Sequence, residues 1–210
     1  MPRSDEGSDA SPRTRVVGED WYGRDLTGAE YRRVGFVDVD LTEATGHGAV
    51  FEDCTFAGVR FNASVHTEAA FVGCRFTRCS FFDARFERSK LVGSTFDGCE
   101  FDVLRVEGGN WSFVTLTSAD LRSARITGTR MREADLGRAN LAGATLRDCD
   151  LSGAFWEGAD LSGADLRGSD LSSIDPLTVT LRGALVGIDQ AVVVAEALGL
   201  DVRPDDGGQG

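Results

Sequence analysis

Residues 158–173 read GADLSGADLRGSDLSS, in which a unit of a small residue, Asp, Leu and two further positions occurs three times. Moving outward from Leu161 in steps of five reaches Trp21 in one direction and Leu181 in the other. Of the 33 positions in that column, 30 hold a large apolar residue, and the exceptions are Gly46, His66 and Pro176. The register never slips, and the column takes ten of the thirteen Phe and all three Trp. A second column, two residues before each centre, holds small or modest side chains such as Ala44, Cys54, Val59, Ala124 and Ala159, and it contains all five cysteines. The position two after the centre favours glycine, as at Gly23, Gly58, Gly98, Gly143 and Gly168. A period of five fits neither the 3.6 of a helix nor the 2 of a strand. Two inward positions in five, one large and one small, suit a polygonal coil that turns every five residues, so the 26 glycines mark corners.

The chain has 210 residues, 34 acidic and 22 basic, for a net charge of −12. That balance argues against a nucleic-acid binder. No run approaches the roughly 18–20 apolar residues of a membrane span, and residues 1–18 lack the apolar core of a signal peptide. A cytoplasmic protein without membrane contact is expected, its cysteines reduced.

With ADLGRANLAGATL (134–146), the opening stretch resembles the pentapeptide-repeat family, whose motif is Ala-(Asp/Asn)-Leu-x-x. The resemblance covers roughly residues 19–183. It implies an all-β solenoid, a right-handed quadrilateral β-helix with four pentapeptides and therefore twenty residues per coil, about eight coils in all. At ~4.8 Å between stacked strands the rod is ~38 Å long. Flanking it, 1–18 and 201–210 are polar and are expected to be disordered tails, and 184–200 is expected to carry a short α-helix.

On a twenty-residue coil, Cys54 stacks on Cys74 and Cys79 on Cys99, while Cys149 stands alone between Thr129 and Ser169. Stacked thiols fall within disulfide range, but small inward residues in an Ala, Ser and Val column read better as inert filling. His66 lies over Gly46 and is expected to fill part of the space left there, neutral and hydrogen-bonded; a binding notch at that point is the alternative. P-loop, GxSxG and HExxH patterns are all missing. The chain reads as a non-enzyme without cofactor or metal.

Charge is uneven between faces. The face centred on Trp21, Leu41, Phe61 and their successors to Leu161 carries nine acids, among them Asp20, Asp40, Glu100, Asp102, Asp120 and Asp160, against Arg60 and Arg122. Spread over the rod, that is one acid per ~4 Å, close to the ~3.4 Å spacing of phosphates along a DNA strand. Acid also gathers at the C-terminal end, where Asp148, Asp150, Glu157, Asp160, Asp165, Asp170 and Asp175 face Arg167 alone. Arg122, Arg125, Arg130, Arg132 and Arg138 make the preceding coils locally basic.

The repeat ends at Pro176. In GIDQAVVVAEALGLDV, Asp189 can cap a helix, Ile188, Val192, Ala195 and Leu198 make an apolar stripe, and Gly199 suits its end. Val193, Val194, Ala197 and Leu200 widen that surface, so the helix either caps the open core or joins two chains. LRGALVGIDQAVVVAEALGL (181–200) resembles the C-terminus of the MfpA-like, Qnr-related fluoroquinolone-resistance proteins, and the unbroken register favours the MfpA-like members over those with protruding loops. That resemblance implies a homodimer through Ile188, Val192, Val193, Ala195, Ala197, Leu198 and Leu200. It also implies a DNA mimic that occupies the DNA-binding saddle of DNA gyrase through the acids of the C-terminal coils and of the Trp21 face. A scaffold for an unrelated protein, acidic for solubility, is the competing reading.

Overall fold

Main-chain hydrogen bonds tie each coil to the next at a constant offset. In the computed structural model, which describes residues 14–203, the Trp21 N–H donates to the Asp40 carbonyl at 2.8 Å and the Asp40 N–H to the Glu19 carbonyl at 3.0 Å. Every parallel pair is twenty residues apart, from Thr14 with Val34 to Asp165 with Leu185. Four walls result. A five-stranded sheet stacks the segments around Val16, Phe36, Phe56, Phe76 and Phe96, a three-stranded sheet those around Tyr31, Phe51 and Phe71, and a six-stranded sheet those from Gly46 to Leu146. The fourth wall, on Trp21, Leu41, Phe61 and Phe81, is joined by single bridges such as Asp20 with Asp40. The chain is therefore a parallel β-solenoid of pentapeptide repeats with a short C-terminal helix.

The two inward columns close the interior. Phe36, Phe56, Phe76 and Phe96 stack with ring centroids 4.9, 4.8 and 4.7 Å apart and planes within 8° of parallel. Their spacing is that of the strands, so the rings ride on the hydrogen-bond ladder. Between the large columns, Ala44, Ala49, Cys54, Ala134 and Ala159 are buried. Further along, Leu replaces Phe at the centres and Ala replaces Cys, Ser and Val beside them.

Two wall geometries occur, short strands and tight turns, and Asp or Asn before the centre goes with the turns. None of the strands from Glu30 onward has Asp or Asn at that position. Where Asp or Asn stands there, its Oδ1 accepts the N–H two residues on: Asp20 from Tyr22 (3.0 Å), Asp160 from Ser162 (2.9 Å) and Asp170 from Ser172 (2.8 Å). The side chain thus holds a turn in place of a strand. Corners two residues after the centre are left-handed almost throughout, in fifteen cases at a residue other than glycine. At Gly168, whose φ is +77°, an added Cβ would displace the Asp148 carboxylate of the coil before.

The rod begins before residue 19. Strand β1 (Thr14–Val17) pairs with Val34–Val37, and Val16 joins the large column opposite Phe36. The remaining parts of the expected tails, 1–13 and 204–210, lie outside the described residues. At the other end, helix α1 spans Ile188–Ala197. Asp189 is not its cap: Gly187 is, and the Gln190 Oε1 accepts the Gly187 N–H at 2.7 Å. Asp189 sits in the first turn, where the helix dipole favours an acid. Gly199, at φ +84°, closes the helix as expected: its N–H donates to Glu196 at 2.8 Å and the Leu200 N–H to Ala195 at 3.1 Å. No helix among the described residues is long and apolar enough to cross a membrane.

The turn bond makes a prediction about the motif Asp. D160A should lower stability in chemical denaturation by about 1 kcal/mol, whereas D160N, which keeps an accepting Oδ1, should stay near wild type.

Candidate functional site

The acid of the Trp21 wall is thinner than the sequence suggests. The Asp40 carboxylate pairs with Arg60 one coil on at 2.6 Å, Asp120 with Arg122 at 2.6 Å and Asp83 with Arg105 at 3.2 Å, while Glu19 accepts the Trp21 indole N–H at 2.6 Å. Arg60 holds the Asp40 carboxyl down at about 2, and Arg122 holds Asp120 below its ordinary value. Among the described residues, Asp20, Glu43, Glu100, Asp102 and Asp160 make no ion pair. Arg60 and Ser80 interrupt the row that would join Asp20 and Asp40 to Glu100. The wall therefore carries two acidic clusters, not an even ladder of charge.

The C-terminal acids are arranged differently. Asp150 and Asp170 lie on the Phe51 side, Glu157 and Asp175 on the Phe36 side, Asp160 on the Trp21 wall and Asp165 beside Leu146, with Asp148 at a corner. They encircle the rod. None is buried. Arg132 pairs with Asp150 at 2.5 Å and Arg167 with Asp165 at 2.7 Å, holding the Asp165 carboxyl at about 2. The Ser162 hydroxyl and N–H hold Asp160 low. Asp148, Glu157, Asp160, Asp170 and Asp175 make no ion pair among the described residues, so the basic cluster preceding them neutralises only part of the acid.

Residues 67–102, 105–138 and 139–175 match the profile of pentapeptide repeats, in eight copies. The chain belongs to the pentapeptide-repeat family. Among solved structures it is similar to full-length QnrB1, a plasmid-mediated fluoroquinolone resistance protein, at 21% identity over 89% of this chain and 98% of that one, with a TM-score of 0.51. HetL, a pentapeptide-repeat protein involved in heterocyst differentiation regulation from the cyanobacterium Nostoc, is 20% identical over 83% of this chain and 86% of that one, with a TM-score of 0.35. No curated protein matches the chain.

The C-terminal helix is held by a residue whose role the apolar stripe did not reveal. The Gln190 Nε2 donates to the Leu166 carbonyl at 2.7 Å and to the Ser169 carbonyl at 2.6 Å, bonding the helix to the last coils. Val194 packs on the core. No helical residue is fully buried, and Ile188 is 86% and Leu198 50% exposed, with Leu200 beyond the helix at 61%. Val192, Val193 and Ala195 are half-buried and Ala197 is exposed. The helix docks on the rod and still presents apolar surface outward.

The interior candidates resolve into packing. Cys54, Cys74, Cys79 and Cys149 are buried, Cys99 half-buried. The neighbouring Cys54 thiol together with burial pushes Cys74 up, Cys99 with burial does the same to Cys79, and burial raises Cys149. No group of three or more His, Cys, Asp or Glu among the described residues is placed to hold a metal. His66 is fully buried and stacks on Phe86 at 5.0 Å. The Ser64 Oγ donates to the Phe61 carbonyl at 2.7 Å, so it accepts from the Nε2 of the neutral His66 ring at 3.0 Å, and Nδ1 has no protein partner. A Cβ at Gly46 would lie 3.3 Å from the Leu26 Cβ: glycine lets Leu26 approach closely.

Burial lowers the His66 pKa from 6.5 to about 4. Between those values the unfolded chain takes up a proton that the folded chain refuses, so stability falls as pH drops from 6.5 toward 4. The loss should reach about 3 kcal/mol. In denaturant titrations across this range, H66F should lack that component of the slope.

Proposed function

We propose that the rod is a DNA mimic that binds DNA gyrase at its DNA-binding saddle, in the cytoplasm, and protects it from or modulates it against quinolone-type or other gyrase poisons. The observation that carries this reading is the ring of C-terminal carboxylates. A duplex presents phosphate all around its axis, and Asp148, Glu157, Asp160, Asp170 and Asp175 likewise offer charge on successive sides of a narrow rod without a paired base. Asp20, Glu100 and Asp102 extend the charge toward the other end. The partner itself is taken from the resemblance of 181–200 to the MfpA-like proteins; the likeness to QnrB1 adds the fold.

Competition is the mechanism. A basic channel built for DNA attracts the rod at long range, and the rod occupies it without offering a strand to cleave. Direct nucleic-acid binding is not part of the reading, nor is chemistry at any residue of the rod. In a second part of the proposal, two chains join end to end through α1, which sets the acidic C-terminal coils at the middle of a longer rod. The exposed Ile188, Leu198 and Leu200 support this, since such residues seldom stay in water when a partner surface is available.

Gyrase supercoiling assays with titrated protein, with and without a quinolone, test the first part. Wild-type protein should inhibit supercoiling or relieve the drug, and the effect should weaken as salt rises. A triple variant, D160N/D165N/D170N, keeps the turn bonds and removes three charges; it should act at least tenfold more weakly. No effect of either protein at micromolar concentration would refute the gyrase reading and leave the scaffold reading. For the second part, sedimentation should show a dimer for wild type and a monomer for I188E/L198E, with the rod's thermal unfolding little changed.

A further inference from the structure

The wall that holds Leu116 parts at one place. Parallel bridges carry Thr95 to Thr115, Thr115 to Asp135 and Asp135 to Phe155, and stop there. The next centre is Pro176, whose ring fixes its own φ and restricts Asp175 before it. The Gly158 N–H reaches the Thr178 carbonyl at 2.8 Å, twenty residues on, where the corner before it, Arg138, reaches Glu157 at 2.9 Å, nineteen on. The longer offset is confined to this corner, since Thr180 again pairs with Asp160 twenty residues back, and Leu177 is left 81% exposed. The Ser173 Oγ donates to the Ala154 carbonyl at 3.0 Å. A depression of about 260 Å³ lies there, lined by Phe155, Trp156, Glu157, Ser173, Asp175 and Thr178.

Phe155 is out of place in this row. The same position holds Thr115, Asp135 and Asp175 in neighbouring coils, and Phe155 points outward, 52% exposed. One edge of its ring rests over Gly137, where an added Cβ would lie 2.9 Å from Cε1. The glycine is thus a shelf for the ring, which also borders the depression. Glu157 and Asp175 make no ion pair among the described residues; the Asp175 Oδ1 accepts the Leu177 N–H at 2.9 Å, which leaves Oδ2 available. The nearby base, Arg138, lines a second depression together with Phe155 and Glu157, but its Nε donates to the Ser118 Oγ at 3.4 Å and it forms no ion pair with Glu157 among the described residues. An aromatic ring beside two carboxylates without ion pairs is complementary to a flat cation that can stack and fork its hydrogen bonds. Within the chain, the Arg24 guanidinium carbon sits 4.0 Å from the centroid of Trp21, the same chemistry at a smaller scale.

We propose that Phe155, Glu157 and Asp175 form a receptor for an arginine side chain of the protein the rod binds. The guanidinium stacks on the open side of the ring and donates to the two carboxylates. This rests on the reading of the rod as the ligand of a basic channel, and adds which side chain the channel contributes and where it lands.

The test has two arms. In the first, isotope-labelled protein is titrated with N-acetyl-arginine amide and with the citrulline and lysine counterparts, followed by NMR. Arginine should shift signals of Phe155, Glu157, Ser173, Asp175 and Thr178, citrulline should act at least tenfold more weakly, and F155A and E157Q/D175N should abolish the response. D175N keeps the bond to Leu177, and F155L keeps an apolar cover over Gly137, so both report on chemistry with the wall intact. In the second arm, F155A should raise the concentration needed to affect gyrase roughly tenfold. Equal shifts with lysine, or full binding by F155L, would overturn the guanidinium receptor. Should arginine bind here while gyrase ignores wild type and variant alike, the receptor stands and the gyrase reading falls. If wild type and F155A act equally on gyrase and arginine moves nothing, the receptor falls alone.

Discussion

Everything in this molecule is placed by the hydrogen bond that runs from each coil to the next at a fixed offset. Because that offset is uniform, a residue lies over the residue twenty places on, and a five-residue pattern becomes four vertical columns of large side chains inside and matching rows outside. A slip of one residue would turn a large centre outward and bring a polar neighbour in, so the burial of the whole column resists it. The stacked Phe rings, spaced like the strands, couple ladder to core. Beside Pro176, in the last coils, one bridge is lost without any change of register, and Ser173 donates to a carbonyl left by the parted wall.

The acidic character of the rod is partly a consequence of how its turns are made. An Asp before the centre closes its turn with one carboxylate oxygen, as at Asp160 and Asp170, and leaves the second at the surface. Fold and charge are carried by one side chain. Counting acids therefore cannot separate a binding surface from a wall that merely uses Asp for its turns, and Asp to Asn is the substitution that does separate them. Where strands replace turns, that position is most often filled by Thr, Arg or Val, and never by Asp or Asn from Glu30 onward.

Columns, coil length and the stacking of Cys54 on Cys74 were legible in the sequence because they depend on spacing alone. So was the end of the helix at Gly199, where a left-handed residue is needed. Features that depend on side-chain reach were not. Asp40 meets Arg60 across a coil and Asp150 meets Arg132 across eighteen residues, and nothing in the spacing says which arginines fold back onto their own wall. Val16 was hidden in a polar segment rich in Arg and Pro, though it falls five before Trp21 in the same column. Gln190 was passed over because an apolar stripe draws attention to its apolar members, whereas the helix is bonded to the rod through an amide.

Those intramolecular pairs bear on selectivity. Surface charges interact through a screened field that falls off over about 8 Å at physiological salt, so net charge draws a basic partner close without fixing its register. An arginine already folded onto Asp40 or Asp165 must be displaced before a partner's base can take its place. Carboxylates without such a guard present no competitor, and Asp148, Glu157, Asp160, Asp170 and Asp175 of the C-terminal coils are among them. Register must then come from features that do not move: the rigid wall, the corners, and an aromatic ring held on a glycine shelf. In the C-terminal coils, the interruption of the repeat at Pro176 places the ring of Phe155 beside the unpaired Glu157 and Asp175, so the departure from the pattern supplies shape where the pattern itself supplies only charge.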